Sequence, residues 1–243
     1  MSTSAFAPAP TSTPDTSFAD RIARWRHLTL VLWVSVSMPV LGSFYYLFGG
    51  TAATTPMYQG YRLWGGLIPE ASGLLVLWYV LASQGKTWGD IGWSPSFADI
   101  RRALGLFLAS IAATWVAYIP AQYLYRAYSG AFLTQKSLNS TLAFGISALS
   151  IAFVCVNPFF EELIVRAYTI SELLNLGTNR VIAIGISVVV QLSYHLYQGL
   201  ANVVVLAVVF TVFSIYYSRT RRIVPVVIVH LGLDLFWLFK AHP

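Results

Sequence analysis

The chain has 243 residues, of which 57% are hydrophobic and only 10% are charged, against about 25% charged residues in an ordinary soluble domain. So few charges cannot cover the surface of a soluble protein, and the single cysteine, Cys155, excludes a disulfide framework or a CxxC metal site. The net charge of +6 invites a nucleic-acid interpretation, but the basic residues lie mainly between apolar blocks. We therefore expect a membrane protein whose partner is the lipid bilayer, with no nucleic-acid partner.

Seven apolar blocks follow a polar N-terminal segment. Residues 1–20 are rich in Ser, Thr, Pro and Ala, which predicts a disordered cytoplasmic tail over residues 1–26. Blocks of about twenty residues are long enough to cross a hydrocarbon core. They predict an all-α polytopic transmembrane bundle of seven to eight helices, a single domain over residues 27–240. The blocks cover about residues 27–48, 63–83, 103–123, 142–160, 181–197, 200–217 and 223–239.

The basic residues also predict the orientation in the membrane. If the N-terminal tail is cytoplasmic, seven crossings place eleven Arg and Lys residues in inside segments, Arg166 among them, and four in outside segments. Since cytoplasmic loops carry an excess of Lys and Arg, this bias predicts a cytoplasmic N-terminus.

Six ionisable residues lie within or at the edge of apolar blocks, where charge is costly and marks function. They come from separate predicted helices, which indicates that they converge on one membrane-embedded cavity. The six residues are Glu70, Glu161, Glu162, His195, His230 and Asp234.

The fourth block ends in a double glutamate. Glu162 and Arg166 are four residues apart, which allows an ion pair on one helix face, whereas Glu161 is rotated from Glu162 by about 100°. One interpretation is an ion pair at a helix end. The other is that Glu162 neutralises Arg166 while Glu161 is free for chemistry.

Two histidines and an aspartate follow in the fifth and seventh blocks. His195 ends the fifth block, and His230 and Asp234 share a face of the seventh helix because they are four residues apart. These groups could hydrogen-bond neighbouring helices, or hold a water, a metal or a developing oxyanion. Glu70 fits helix packing better than a role in the cavity.

The three elements together resemble the CAAX prenyl protease and bacteriocin-processing family of intramembrane endopeptidases, which includes the type II CAAX endopeptidases. The elements are EExxxR (Glu161, Glu162, Arg166), the downstream His195, and a final HxxxD (His230, Asp234). The resemblance covers roughly Leu142 to Phe239 and implies a catalytic core at about residues 142–239.

The resemblance implies a role for each matching residue. Glu161 is similar to the residue that activates water, assisted by His195, and Glu162 with Arg166 is similar to the supporting ion pair. His230 and Asp234 match the pair that stabilises the oxyanion, although many members have Asn where this chain has Asp234. An unprotonated aspartate cannot donate a hydrogen bond, so we expect Asp234 to orient His230 instead.

Two further departures from the family are Gln191, where Phe is usual, and Ala167, where Gly often follows the arginine. We expect both to be tolerated packing changes.

The expected cofactor is none. Glu161, His195 and His230 could also form a zinc site, since two His and one carboxylate are a catalytic zinc set. The lack of an HExxH element argues against a conventional zinc peptidase, and a metal-independent glutamate mechanism is preferred.

The expected function is hydrolysis of a peptide bond near the membrane-anchored, C-terminal or lipidated part of a protein or peptide substrate in a bacterial cell membrane. Two alternatives stay open from the residues alone. An intramembrane Glu, His and Asp relay could serve an ion- or proton-coupled transporter. His195 and His230 could instead ligate a haem.

Overall fold

The structure is a computed structural model that describes residues 18–48, 60–130 and 146–240. These ranges are helical and contain no strand, with short 3₁₀ turns at Trp88–Ile91 and Leu196–Gln198. The helices are α1 (Phe18–Phe48), α2 (Gly60–Ser83), α3 (Ala98–Ser129), α4 (Ala148–Phe160), a π-helical segment (Glu161–Tyr168), α5 (Thr169–Asn175), α6 (Arg180–Ser193), α7 (Leu200–Thr220) and α8 (Val224–Lys240).

Each predicted apolar block corresponds to a helix, which confirms the polytopic all-α prediction. Five segments are long and apolar enough to cross a membrane: α1, α2, α3, α7 and the continuous segment from α4 to α5. The other two helices, α6 and α8, have 14 and 17 residues, shorter than the roughly 20 residues of a full crossing.

The first helix starts earlier than predicted. It begins at Phe18, so residues 18–26 are helical and do not belong to the predicted disordered tail, whereas residues 1–17 of that tail lie outside the described residues. Asp20 lies in its first turn, where a negative charge interacts favourably with the helix dipole. Arg24 is held by an ion pair with Glu172, with 3.0 Å between Nη1 and Oε2.

The fourth apolar block does not end at residue 160. Helix α4 passes without a break into the π-helical segment and then into α5, and together they form a span from Ala148 to Asn175. Its start is capped by Ser147, whose hydroxyl accepts from the Ser150 amide. Residues 142–145 of the predicted block lie outside the described residues.

This long span is the centre of the bundle. In its most apolar stretch 56% of the residues are buried, whereas in the other four spans the buried share is 22% to 39%. Around it, α2 packs against α4, α3 packs against α7 and α8, and α6 packs against α7. Groups on the central span can therefore meet side chains from several helices.

The outer faces of the helices carry large apolar side chains. Trp33 is 71% exposed, Leu75 64%, Trp115 71% and Val181 75%. Isolated exposed apolar residues are common in soluble proteins, but here they recur along every outer helix. Since lipid, unlike water, solvates such a surface favourably, this is the surface of a membrane-embedded bundle.

Ion pairs bring the basic segments to one end of the bundle. Glu172 accepts from Arg24 and from Lys86, at 3.0 and 2.7 Å. At the same end Asp99 pairs with Arg222 at 2.8 Å, and its hydrogen bonds raise the pKa of Arg222 above the ordinary value.

Arg166 does not belong to this group. The charge count placed it in an inside segment, but it is fully buried within the central span. The segments predicted to be cytoplasmic therefore hold ten basic residues instead of eleven.

Candidate active site

Glu161 lies in the middle of the central span. It is the fourteenth residue of the 28-residue segment Ala148–Asn175, and only 3% of it is exposed. The sequence placed it at the end of an apolar helix, but the structure places it near the centre. A carboxylate at this depth needs polar partners or a water-filled cavity.

The backbone at this point is π-helical. The segment Glu161–Tyr168 has the wider π turn, in which the hydrogen bonds skip one residue more than in an α-helix; such turns often occur at functional sites. Two hydroxyls bond carbonyl oxygens of the segment. Thr169 Oγ1 donates to Ile164 at 2.9 Å, and Ser187 Oγ of α6 donates to Val165 at 2.7 Å. These bonds tie the wide turn to its neighbours.

Polar groups surround the Glu161 carboxylate on both sides. Gln191 Nε2 donates to Oε2 at 2.8 Å, and Asn157 Nδ2 lies 3.3 Å from Oε1. The Nε2 atoms of His195 and His230 approach Oε1 and Oε2 at 3.7 and 3.9 Å. The structure therefore brings Glu161 and both histidines together, as the sequence predicted.

Both histidines are oriented by hydrogen bonds from Nδ1. His195 Nδ1 lies 2.8 Å from the backbone oxygen of Gln191, and His230 Nδ1 lies 2.7 Å from Glu162 Oε1. Both partners are acceptors, so Nδ1 carries a hydrogen in each ring. In a neutral ring the lone pair is then on Nε2, the atom that faces Glu161.

His195 does not lie on a helix. Helix α6, which corresponds to the fifth predicted block, ends at Ser193. His195 follows in a turn before the 3₁₀ turn Leu196–Gln198. Its ring packs edge-on against Phe210 of α7, with 5.3 Å between ring centroids. This packing fixes the position of the ring outside a helix.

Glu162 and Arg166 form a fully buried ion pair, which excludes the interpretation as an ion pair at a helix end. The guanidinium makes two further hydrogen bonds: Nε donates to Ser214 Oγ at 3.1 Å and Nη2 donates to Gln191 Oε1 at 2.5 Å. Phe213 lies against it, 5.3 Å from the ring centroid. A buried charge requires partners of this kind.

Asp234 has a different position from the one expected. Its Oδ2 lies 3.6 Å from His230 Nε2, too far for a hydrogen bond. The hydrogen bond that orients His230 runs from its Nδ1 to Glu162 Oε1. Asp234 therefore faces the reactive nitrogen and does not hold the ring from behind.

A metal-compatible group occurs at the site, but it differs from the expected zinc set. Among the described residues, the ligand atoms of Glu161, Glu162 and His230 lie within 4.8 Å of one another; this group does not include His195. Glu162 is already engaged, with one oxygen on Arg166 and the other on His230. A cation bound there would compete with both contacts.

A cavity of about 850 Å³ opens beside the site. Glu161, His195, His230 and Asp234 line it, whereas Glu162 and Arg166 lie behind its wall. The rest of the lining is mostly apolar. The cavity therefore separates the groups that could touch a substrate from those that support them.

The hydrogen-bonding roles of two residues, Gln191 and Asn157, were not recognised from the sequence. Gln191, predicted to be a packing change, bonds both Glu161 and Arg166. Asn157 bonds Glu161 and, at 2.9 Å, Glu70 Oε1, so the buried Glu70 is linked to the site. A signal was present, because Asn157 lies four residues before Glu161 and Gln191 four before His195, a spacing that shares a helix face.

Residues 143–236 match the family model described as Rce1-like, type II CAAX prenyl endopeptidase. The comparisons with curated proteins and with solved structures give no match. The match covers the whole of the site apart from Glu70 and confirms the resemblance drawn from the motifs. This region, 94 of the 243 residues, is thus similar to the type II CAAX prenyl endopeptidases, and the protein is a polytopic membrane protein that carries it.

Proposed function

We propose that the protein is an intramembrane endopeptidase that hydrolyses a peptide bond near the membrane-anchored part of its substrate. Water activated by Glu161 is the nucleophile. The observation that carries the proposal is the position of Glu161, which faces a cavity in the middle of a membrane span with His195 Nε2 3.7 Å from its Oε1.

The pairing of Glu161 with His195 suits a bound water. The carboxylate and the lone pair on His195 Nε2 are both acceptors, and a water is the small molecule that can donate to both. Glu161 takes one proton as the water oxygen attacks the substrate carbonyl carbon. The same proton then passes to the departing amine as the C–N bond breaks.

His230 is suited to bind the carbonyl oxygen of the substrate. When His230 is protonated, Nδ1–H donates to Glu162 and Nε2–H is free to donate to the oxyanion that forms. The Glu162 carboxylate balances the imidazolium, and Arg166 balances Glu162 in turn. Preorganised donors of this kind are a large contribution to catalysis in a site without bulk water. Asp234 Oδ2 also faces this nitrogen, at 3.6 Å.

The cavity wall favours an apolar, lipid-anchored substrate. Large side chains such as Phe107, Trp115 and Phe236 line the cavity, and Trp115 and Phe236 are 71% and 55% exposed, so the cavity is open at its rim. A lipidated C-terminal segment could bury its hydrocarbon chain there, at about 0.8 kcal/mol for each buried CH₂. The peptide bond would then lie beside Glu161.

The test is a cleavage assay in proteoliposomes on membrane-anchored peptides with and without a C-terminal lipid. Glu161→Ala and His195→Ala are each expected to lower kcat by about 10²- to 10⁴-fold, as the loss of a general base or its partner does. Val189→Ala, on the exposed face of α6, is the matched control. Equal turnover in the wild type and both site variants would refute the proposal.

The same assay distinguishes a metal-independent mechanism from a zinc-dependent one. A metal-independent reaction is expected to keep its rate after chelator treatment and to gain nothing from added Zn²⁺. Loss of activity with chelator and recovery with Zn²⁺ would assign the site to metal chemistry instead.

A further inference from the structure

Gln191 is a buried glutamine at a position where the family usually has phenylalanine. It is fully buried, in the last turn of α6. A buried amide costs about 1–3 kcal/mol unless its hydrogen bonds are made. Both the oxygen and the nitrogen of this amide are hydrogen-bonded, the oxygen to Arg166 and the nitrogen to Glu161. These two contacts explain why a glutamine is buried here.

Arg166 fixes which way the amide points. Arg166 Nη2 can only donate, so the atom 2.5 Å from it is the amide oxygen of Gln191. Nε2 therefore faces Glu161 and donates to Oε2 at 2.8 Å. Amide orientation is often ambiguous, but here the chemistry of the neighbour decides it.

The two carboxylate oxygens of Glu161 therefore have different partners. Oε2 accepts the short bond from Gln191, whereas Oε1 accepts only the longer 3.3 Å bond from Asn157 and lies nearest to His195 Nε2. A network from Glu162 through Arg166 and Gln191 thus ends on Glu161. The supporting ion pair and the water-activating carboxylate are connected by this one side chain.

We propose that Gln191 is a positioning residue that transmits the orientation of Arg166 to Glu161 and keeps Oε1 directed at the bound water. This inference rests on the proposed function, because it assigns a role within the same reaction. A misplacement of about 1 Å in a reacting group costs about 10²-fold in rate. Gln191 is therefore expected to affect kcat and not substrate binding.

Gln191→Met is the direct test, since methionine has a similar length but neither donates nor accepts as an amide does. Its kcat is expected to fall about 10- to 100-fold with KM within twofold of the wild type. Gln191→Glu keeps an acceptor for Arg166 and loses the donor to Glu161, so it is expected to be no more active than Gln191→Met. Val189→Met, on the exposed face of α6, is the matched control.

Rates are taken per folded molecule, from the monodisperse fraction in detergent. A loss of yield or Tm with unchanged kcat per folded molecule would overturn the proposal, because it would make Gln191 a packing residue only. Higher activity in Gln191→Glu than in Gln191→Met would also overturn it, since the contact to Arg166 alone would then suffice.

A spectroscopic measurement tests the contact without a substrate. The chain has only four glutamates, Glu70, Glu161, Glu162 and Glu172, so ¹³C-glutamate labelling and the difference spectrum of Glu161→Gln isolate the Glu161 carboxylate bands in the infrared. Gln191→Met is expected to shift those bands, and Val189→Met is not. Unshifted bands in Gln191→Met would contradict the proposal, whatever its activity.

The two proposals fail differently. If Glu161→Ala cleaves as the wild type does, the proposed function is wrong. If Glu161→Ala is inactive and Gln191→Met turns over normally, only the role of Gln191 is wrong.

Discussion

At the scale of single residues, the site is supported by a buried ion pair whose partners come from several helices. Arg166 binds Glu162, Gln191 and Ser214, and Glu162 also accepts from His230. Breaking such a buried pair leaves one uncompensated charge, which is far more costly than losing both partners.

Arg166→Met is therefore expected to lower the free energy of unfolding by about 3–5 kcal/mol. Part of this loss should return in the double variant Arg166→Met/Glu162→Met, because no lone charge is then left in the interior. Chemical unfolding in detergent micelles measures both, with the exposed Arg180→Met as control. A double variant less stable than the single one would show that the pair does more than neutralise charge.

At the scale of helices, the position of α2 depends on a glycine. A Cβ built on Gly73 would lie 2.7 Å from Ser35 Oγ of α1 and 2.9 Å from the Phe160 ring of α4. Helices α1, α2 and α4 meet here, next to the start of the π-helical segment. The close approach requires that residue 73 have no side chain.

Gly73→Ala is expected to destabilise the protein by about 1–3 kcal/mol, the usual range for an overpacked site. Gly65→Ala, on the same helix with no atom within 4 Å of its Cβ, is expected to be neutral or stabilising by about 0.5–1 kcal/mol, since alanine favours a helix over glycine. Thermal unfolding of the two variants measures the difference. Equal Tm values would argue against the close packing at Gly73.

The helix pattern was predictable, whereas the nature of the central span was not. Apolar blocks predicted where the helices lie, because a span must be about twenty residues of apolar chain, although the first helix begins at Phe18 and not at residue 27. Hydropathy nevertheless ended the fourth block at Glu161, since two glutamates and an arginine lower the local average. The helix continues because Arg166 and Gln191 neutralise and solvate those charges from inside the bundle.

At the scale of the molecule, the ion pairs place residues 24, 86, 99, 172 and 222 at one end of the bundle. The positive-inside rule predicts that this end is cytoplasmic. Ile146, at the start of the central span, lies at the opposite end from Phe97, which precedes α3.

Single cysteines test this orientation in a Cys155→Ser background, because the chain has no other cysteine. Residues 97 and 146 are 94% and 45% exposed. In intact cells a membrane-impermeant maleimide is expected to label Ile146→Cys, and to label Phe97→Cys only after permeabilisation. The reverse pattern would place the N-terminal end outside.

The sequence by itself determined that the chain is a polytopic helical membrane protein, and it predicted that Glu161, Glu162, Arg166, His195 and His230 converge on one site. Both conclusions rest on the high cost of charge in hydrocarbon, which can be recognised without coordinates. Only the tertiary structure decided which group holds which. Glu162 and not Asp234 orients His230, and Gln191 joins Arg166 to Glu161. Those contacts link residues 25 to 68 positions apart, and spacing along one helix cannot determine how separate helices face one another.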